Sequence, residues 1–420
     1  MLRIFKQTLC LVRSLLLVTC AALPSSSATV LPPSQDPFYT APVHCASTAP
    51  GTVLRVRSAP GNLTTVVGNS SAAYNILYRT TNSRYKPSWA VTTLFVPISP
   101  WTSSTSSLGG ALLSYQIPYD SADVDASPSY ALYSNPPRDI TTALGYGWYV
   151  AVPDYEGPLA SFGSGVQSGH ATLESVRAVL STGFGLASDA RYAMWGYSGG
   201  ALASDWAAEL QVQYAPELEF SGTALGGLPS NATSALLAVT GTFAAGLIPA
   251  ALLGITSQYP GARAFLVGRL HPAGRYNRTT FLAAQHMSLS QTTETFAFQN
   301  VFDYFVDGTA ILEAPIIKRI FNTDSLLGYH GVPQMPLFMY KAIADEIAPT
   351  RDTDAVVAMY CGAGANILYH RNTVGEHVTE ANNEDAMAFE WLSTVLAGTY
   401  ADYFSTQGCT LRNVTVNATA

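Results

Sequence analysis

The chain is 420 residues long, 48% apolar and only 12% charged, which suits a large buried core and excludes disorder as the default state. The formal net charge is −7, from 21 Lys and Arg against 28 Asp and Glu. Such an acidic balance argues against a nucleic-acid partner, because phosphate contacts need clustered basic residues.

At the start, Arg3, Lys6 and Arg13 precede the apolar run Leu15–Leu23, and small residues follow through Ser26-Ser27-Ala28. The run is too short to span a bilayer. The pattern predicts an export signal over residues 1–28, with Thr19-Cys20-Ala21 as a second cleavage candidate. Removing residues 1–28 removes three basic residues and no acid, which takes the charge to −10. A secreted, extracellular protein is therefore expected, with no transmembrane anchor. Cys10 and Cys20 leave with the signal, and Cys45, Cys361 and Cys409 remain. An oxidising compartment favours pairing, so a Cys361–Cys409 disulfide is expected, with Cys45 free or pairing between chains. The N-x-S/T pattern at Asn62, Asn69, Asn231, Asn277, Asn413 and Asn417 predicts a glycoprotein.

Residues 29–50 are rich in Pro and Ser and read as an extended arm. Strand-like runs follow at Tyr74–Tyr78, Ala90–Val96 and Ala111–Tyr115, the last two separated by the Ser-rich turn Ser99–Gly110. Trp148–Val152 is the next strand, Ser168–Ser181 an amphipathic helix, Tyr192–Trp195 a strand and Ala201–Leu210 a helix. This alternation predicts an α/β fold with a mostly parallel sheet covered on both faces. After Gly227 the texture changes, and residues from about 228 to 318 read as a helical insertion. Within it, Leu236–Ile255 is long enough to cross a membrane. Gly241, Gly246, Pro249 and Gly254 interrupt it, however, so a buried or capping helix pair is expected. The alternation resumes with strand Met335–Tyr340, helix Asp352–Cys361, strand Ala365–Tyr369 and helix Glu384–Leu396. Residues 29–420 thus form one domain with an insertion.

Gly196-Tyr197-Ser198-Gly199-Gly200 fits G-x-S-x-G, lying between a strand and a helix. Glycines at both ends let strand and helix pack around a strained serine, and the helix N-terminus offers N–H groups to a developing oxyanion. A serine nucleophile needs a base, and the base an orienting acid, placed after the serine in this architecture. Asp345 lies just past the strand Met335–Tyr340, with Glu346, Asp352 and Asp354 as nearby alternatives. His377 lies in the loop after Ala365–Tyr369; its competitor His370 ends that strand and reads as structural. Cys361 and Cys409 bracket His377, and closing that loop is worth about 4 kcal/mol in the chain-entropy model. The segment Val152–Gly165 follows a strand and can supply a second oxyanion N–H. Its Asp154 and Glu156 lack His or Cys neighbours that would make a metal site, so no metal is expected. No phosphate-binding or dinucleotide loop is present, and no cofactor is expected.

Four stretches, VPDYEGPLASF, GYSGGALASDWAAELQVQYAPEL, NVFDYFVDGTAILEAPI and AIADEIAPT followed by CGAGANILYHRNTVGEHVTEA, resemble the secreted fungal lipases of the Candida antarctica lipase A type. The resemblance implies an α/β-hydrolase with a helical lid that cleaves carboxylic esters without a cofactor, and the expected activity is that of a triacylglycerol lipase working through an acyl-enzyme, at an oil–water interface. It implies Ser198 as nucleophile, Asp345 as acid, His377 as base, and the backbone N–H groups of Gly199 and Asp154 as the oxyanion hole. The Cys361–Cys409 pair fits the same pattern. A short-chain esterase or peptidase on this scaffold, or a catalytically inactive binding protein, are the alternatives.

Overall fold

The computed structural model describes residues 29–101, 110–187 and 189–418. The expected export signal, with Cys10 and Cys20, lies outside the described residues, as does most of the Ser-rich turn. Ten strands form a single sheet: β1 Val53–Ser58, β2 Ser70–Thr81, β3 Pro87–Pro97, β4 Ala111–Gln116, β5 Tyr149–Pro153, β6 Arg191–Tyr197, β7 Gly222–Gly226, β8 Leu337–Ala342, β9 Ile367–Asn372 and β10 Cys409–Val414. Their spatial order is β1-β2-β3-β5-β4-β6-β7-β8-β9-β10. The first three strands and β5 pair antiparallel, and every pairing from β5 through β10 is parallel. Strands β4, β5, β7 and β8 are buried along their whole length, as parallel strands covered on both faces must be.

Alternate side chains of these strands feed two cores. Leu112 and Met194 face the helices Gly165–Thr182, Gly199–Tyr214 and Thr350–Gly362. Leu113 and Trp195 face Arg138–Gly145 and Asp385–Ala397 on the other side. The helices expected from periodicity are all present. Strands β1, β7 and β10 were not expected, because the first reads VLRVRS, with arginines alternating along an edge, the second is a five-residue run with glycine at each end, and the third is a polar edge strand.

Between β7 and β8 the chain is helical, apart from two isolated bridges. Leu236–Ile255 is divided between the helices Ala232–Val239 and Leu247–Ser257, with the Gly-containing turn between them. No helix among the described residues is long and apolar enough to cross a membrane. The insertion has its own core, including Leu252, Phe281, Phe302 and Ile311. It extends past the expected end near residue 318, through the helix Pro315–Asp324.

A disulfide joins Cys361, in the last turn of the helix Thr350–Gly362, to Cys409, the first residue of β10, with Cα atoms 5.9 Å apart. It staples edge strand β10, which pairs with β9, to the helix that precedes β9. Cys45 is unpaired and buried, its Sγ 3.6 Å from the Ser88 carbonyl. None of the six sequon asparagines is buried. Asn231 and Asn277 cap helices, accepting from the N–H groups of Ser234 and Thr280.

Candidate active site

Strand β6 ends at Tyr197 and the helix begins at Gly199, so Ser198 makes the whole turn, with φ 52° and ψ −121°. That left-handed backbone is costly for a residue with a side chain and persists where the surroundings enforce it. Here the Ser198 N–H donates to the Gly226 carbonyl at 2.9 Å. A Cβ on Gly196 would collide with the Gly200 backbone, and one on Gly200 with the Gln116 carbonyl, so the strand and helix approach this closely only through glycines.

The three residues singled out in the sequence converge. Ser198 Oγ lies 2.8 Å from His377 Nε2, and His377 Nδ1 lies 2.7 Å from Asp345 Oδ2. Asp345 sits in the turn after β8, and His377 is the first residue of a short helix, His377–Asn383, rather than part of a loop. The Tyr197 hydroxyl donates to the His377 carbonyl, and the His377 N–H donates to Glu346 at 2.7 Å. Glu346 therefore holds the backbone of His377 and not its ring. His370 pairs with Glu384 at 3.2 Å, and Asp354 takes the Tyr369 hydroxyl; neither reaches Ser198.

The Asp345 carboxylate is fully engaged. Oδ1 accepts from the N–H groups of Ile347 and Ala348, at 3.0 and 2.7 Å. Oδ2 accepts from His377 and from the Lys341 ammonium, at 2.9 Å. Burial alone would raise Asp345, but the His377 hydrogen bond and the Lys341 charge hold it down at about 2. A serine, imidazole and carboxylate chain of this geometry lets the imidazole take the hydroxyl proton while the carboxylate fixes its tautomer and orientation.

The structure corrects the expected second oxyanion donor. The Asp154 N–H already donates to the Val91 carbonyl at 2.8 Å, closing the end of the β3–β5 ladder. Its carboxyl accepts from the N–H and hydroxyl of Ser129 at 2.9 and 2.6 Å, and burial pushes it up to about 7. Asp154 is a structural residue one strand away from the serine. The residue beside the serine is Asp120, in the loop after β4, with φ 43°. It packs so closely on Gly199 that a Cβ there would overlap its carboxyl, and burial raises it to about 7. Strand β4, not β5, pairs with β6, Gln116 opposite Gly196, so the β4 loop reaches the turn at Ser198. Sequence order conceals this inversion; its one signal is that the loop after Gln116, like the loop after β5, leaves a buried strand with an aspartate.

Two cavities meet at Ser198. One is a narrow apolar space of about 60 Å³, lined by Phe162, Leu202, Leu236, Leu247, Ile255 and Ile347 among others. The second is a more open cleft of about 460 Å³ that includes Phe243, Leu289, Thr293, His377 and Val378. Asp120 and Ser198 line both.

A mostly parallel α/β sheet with a serine on a strand-to-helix turn, followed in the chain by an acid and a histidine that converge on it, defines an α/β-hydrolase. The chain belongs to the secretory lipase family, whose model matches residues 138–402. It is 51% identical over 417 residues to the trichothecene C-3 esterase of Fusarium sporotrichioides, covering 97% of this chain and 93% of that protein. It is 35% identical over 397 residues to lipase A of Arthroderma benhamiae, covering 90% and 82%. The structure of Candida antarctica lipase A superposes with a TM-score of 0.81 at 29% identity, covering 93% of this chain and 91% of that one. The protein is an ester hydrolase of this family.

Proposed function

We propose that the protein is a secreted carboxylesterase that removes a short acyl group from a bulky, mostly apolar alcohol through a Ser198 acyl-enzyme. The Ser198 oxygen bonds to the ester carbonyl carbon as its proton passes to His377 Nε2. The backbone N–H groups of Gly199 and Asp120 receive the oxyanion, each worth about 3 kcal/mol. The carbon–oxygen bond to the alcohol breaks and the alcohol leaves with the proton from His377. Water, activated by the same imidazole, then releases the acid. Asp345 orients the imidazole throughout.

The observation that carries the substrate class is the disposition of the two cavities. A leaving alcohol must lie where His377 can protonate it, so the open cleft containing His377 suits the alcohol. The acyl group then faces the narrow space. About 60 Å³ is well under the ~150 Å³ that holds a benzene ring, which suits a short acyl group of about two to four carbons. The similarity to an esterase acting at C-3 of a trichothecene agrees, and esters of a trichothecene are the first alcohols to try. A second reading, triacylglycerol hydrolysis with the insertion as a lid opening at a lipid surface, draws on the similarity to lipase A and on the exposed Leu237, Phe243 and Val378. The basic, apolar start supports export, and the six surface sequons support glycan attachment.

The test has two parts. A fluorophosphonate probe is expected to label wild type and not Ser198→Ala; label retained in the variant would overturn the nucleophile assignment. Turnover of p-nitrophenyl esters is expected to peak at acetate to butyrate, with little on emulsified triglyceride. A peak at long chains would favour the lipase reading.

A further inference from the structure

Lys341 is a fully buried cation at the end of β8. A buried ammonium is costly unless it is paired and hydrogen-bonded. This one has two partners: Asp345 Oδ2 at 2.9 Å and the Leu228 carbonyl at 3.1 Å. Asp345 does not need it to satisfy its oxygens, because two backbone N–H groups and the His377 imidazole already serve them. What the ammonium adds is a second ligand on Oδ2, the oxygen that holds the imidazole, and a positive charge one atom away from that imidazole.

We propose that Lys341 is a positioning residue for the proposed Ser198–His377–Asp345 machinery, locking the Asp345 carboxylate in place and offsetting its charge where it meets the imidazole. The inference rests on the catalytic reading given above. The bond to Oδ2 fixes the plane of the carboxylate, so that Oδ2 stays aimed at Nδ1. The charge works on the proton balance. An uncompensated buried carboxylate favours a proton held on the imidazole, and an imidazole already protonated cannot take the serine proton. With the ammonium on the same oxygen, that attraction is reduced.

Other groups also face this pair. Asp352 and Asp354 from the helix Thr350–Gly362 act on Lys341. Glu346 holds the His377 N–H, and Tyr197 its carbonyl. Glu380 and Tyr369 lie near Asp345. None of them donates to Oδ2. Burial lowers Lys341, and the Asp345 carboxylate opposes that only in part. Lys341 also fastens the root of the insertion, since Leu228 lies two residues past the end of β7 and its carbonyl takes the Thr353 hydroxyl as well.

The experiment compares Lys341→Met, which removes both charge and donor, with Lys341→Gln, which keeps a donor and removes the charge. Values of kcat and KM for p-nitrophenyl acetate are taken from pH 4 to 9, with thermal unfolding recorded for each variant. Two like charges about 5 Å apart at an effective dielectric constant of about 20 interact by about 3 kcal/mol, a shift of about two pH units. The acid limb of kcat/KM, which reports the essential base of the free enzyme, is therefore expected to move up by about two units in both variants. KM is expected to stay within about twofold. Folded variants whose acid limb stays in place would overturn the proposal, as would loss of the fold in both, which would make Lys341 a structural residue. Ser198→Ala serves as the control: turnover surviving in it sinks the catalytic reading itself, whereas an inactive Ser198→Ala with an unmoved limb in the Lys341 variants sinks only the role of Lys341.

Discussion

Ile255 offers the sharpest test of which cavity takes the acyl group. It sits on the helix Leu247–Ser257, is fully buried, and lines the narrow space with Leu247 and Ala251 from the same helix face. Its Cγ1 and Cδ1 stand against Gly163, at 3.0 Å from where a Cβ would be, so they help to close that space. Replacing Ile255 by Ala removes three carbons and leaves room for about three methylenes of substrate. Each buried methylene is worth about 0.8 kcal/mol, or about fourfold in kcat/KM when the transition state gains it. The ratio of hexanoate to acetate turnover is therefore expected to rise by about 10- to 60-fold in the variant relative to wild type. The cost is about 2–5 kcal/mol of stability, as for other buried large-to-small changes. The assay is kcat/KM over p-nitrophenyl esters from acetate to octanoate, with unfolding midpoints recorded in parallel. A folded variant with an unchanged acyl profile, or a wild type whose rate already climbs steadily to octanoate, refutes the placement of the acyl group.

Further outcomes follow from the same geometry. Asp154 is raised to about 7 by burial, so its contribution to stability is complete below about pH 4 and is lost as pH rises through about 7. Asp154→Asn, which can keep both bonds to Ser129, is thus expected to match wild type near pH 4 and to be more stable by about 2–4 kcal/mol at pH 8, read by thermal unfolding. Its kcat is expected to be unchanged, because the carboxyl of Asp154 bonds only to Ser129. The double variant Cys361→Ser/Cys409→Ser is expected to lose about 4 kcal/mol in urea unfolding, from the 48-residue separation that the bond closes. A loss under about 1 kcal/mol would show that the denatured chain is little constrained by the bond.

Much of the site was legible in the sequence because its signals are local. Ser198 stands between glycines that only a tight strand-to-helix turn requires, and the strand and helix on either side have clear periodicity. Asp345 and His377 each follow an apolar strand, and parallel strands in this architecture deliver their following loops to one edge of the sheet. The helical texture of the insertion and the interruption of Leu236–Ile255 by Gly and Pro were also readable, since backbone propensity acts residue by residue. Strands β1, β7 and β10 were not, because short, Gly-bearing or polar strands are stabilised by their neighbours in the sheet rather than by their own composition.

What only the tertiary structure decided is which strands are neighbours and how much space is left between elements. The sheet places β4 between β5 and β6, so Asp120 in the loop after β4 lies beside Ser198 and Asp154 at the end of β5 does not. Nothing in either loop's own residues encodes that exchange, because strand order arises from how the whole sheet packs against its helices. The same holds for Lys341, an apparently ordinary charge at a strand end whose ammonium meets Asp345 in a dry interior, and for the narrow cavity, whose walls come from segments far apart in the chain. Local chemistry singled out the three side chains that converge; long-range packing chose their partners and sized the space around them.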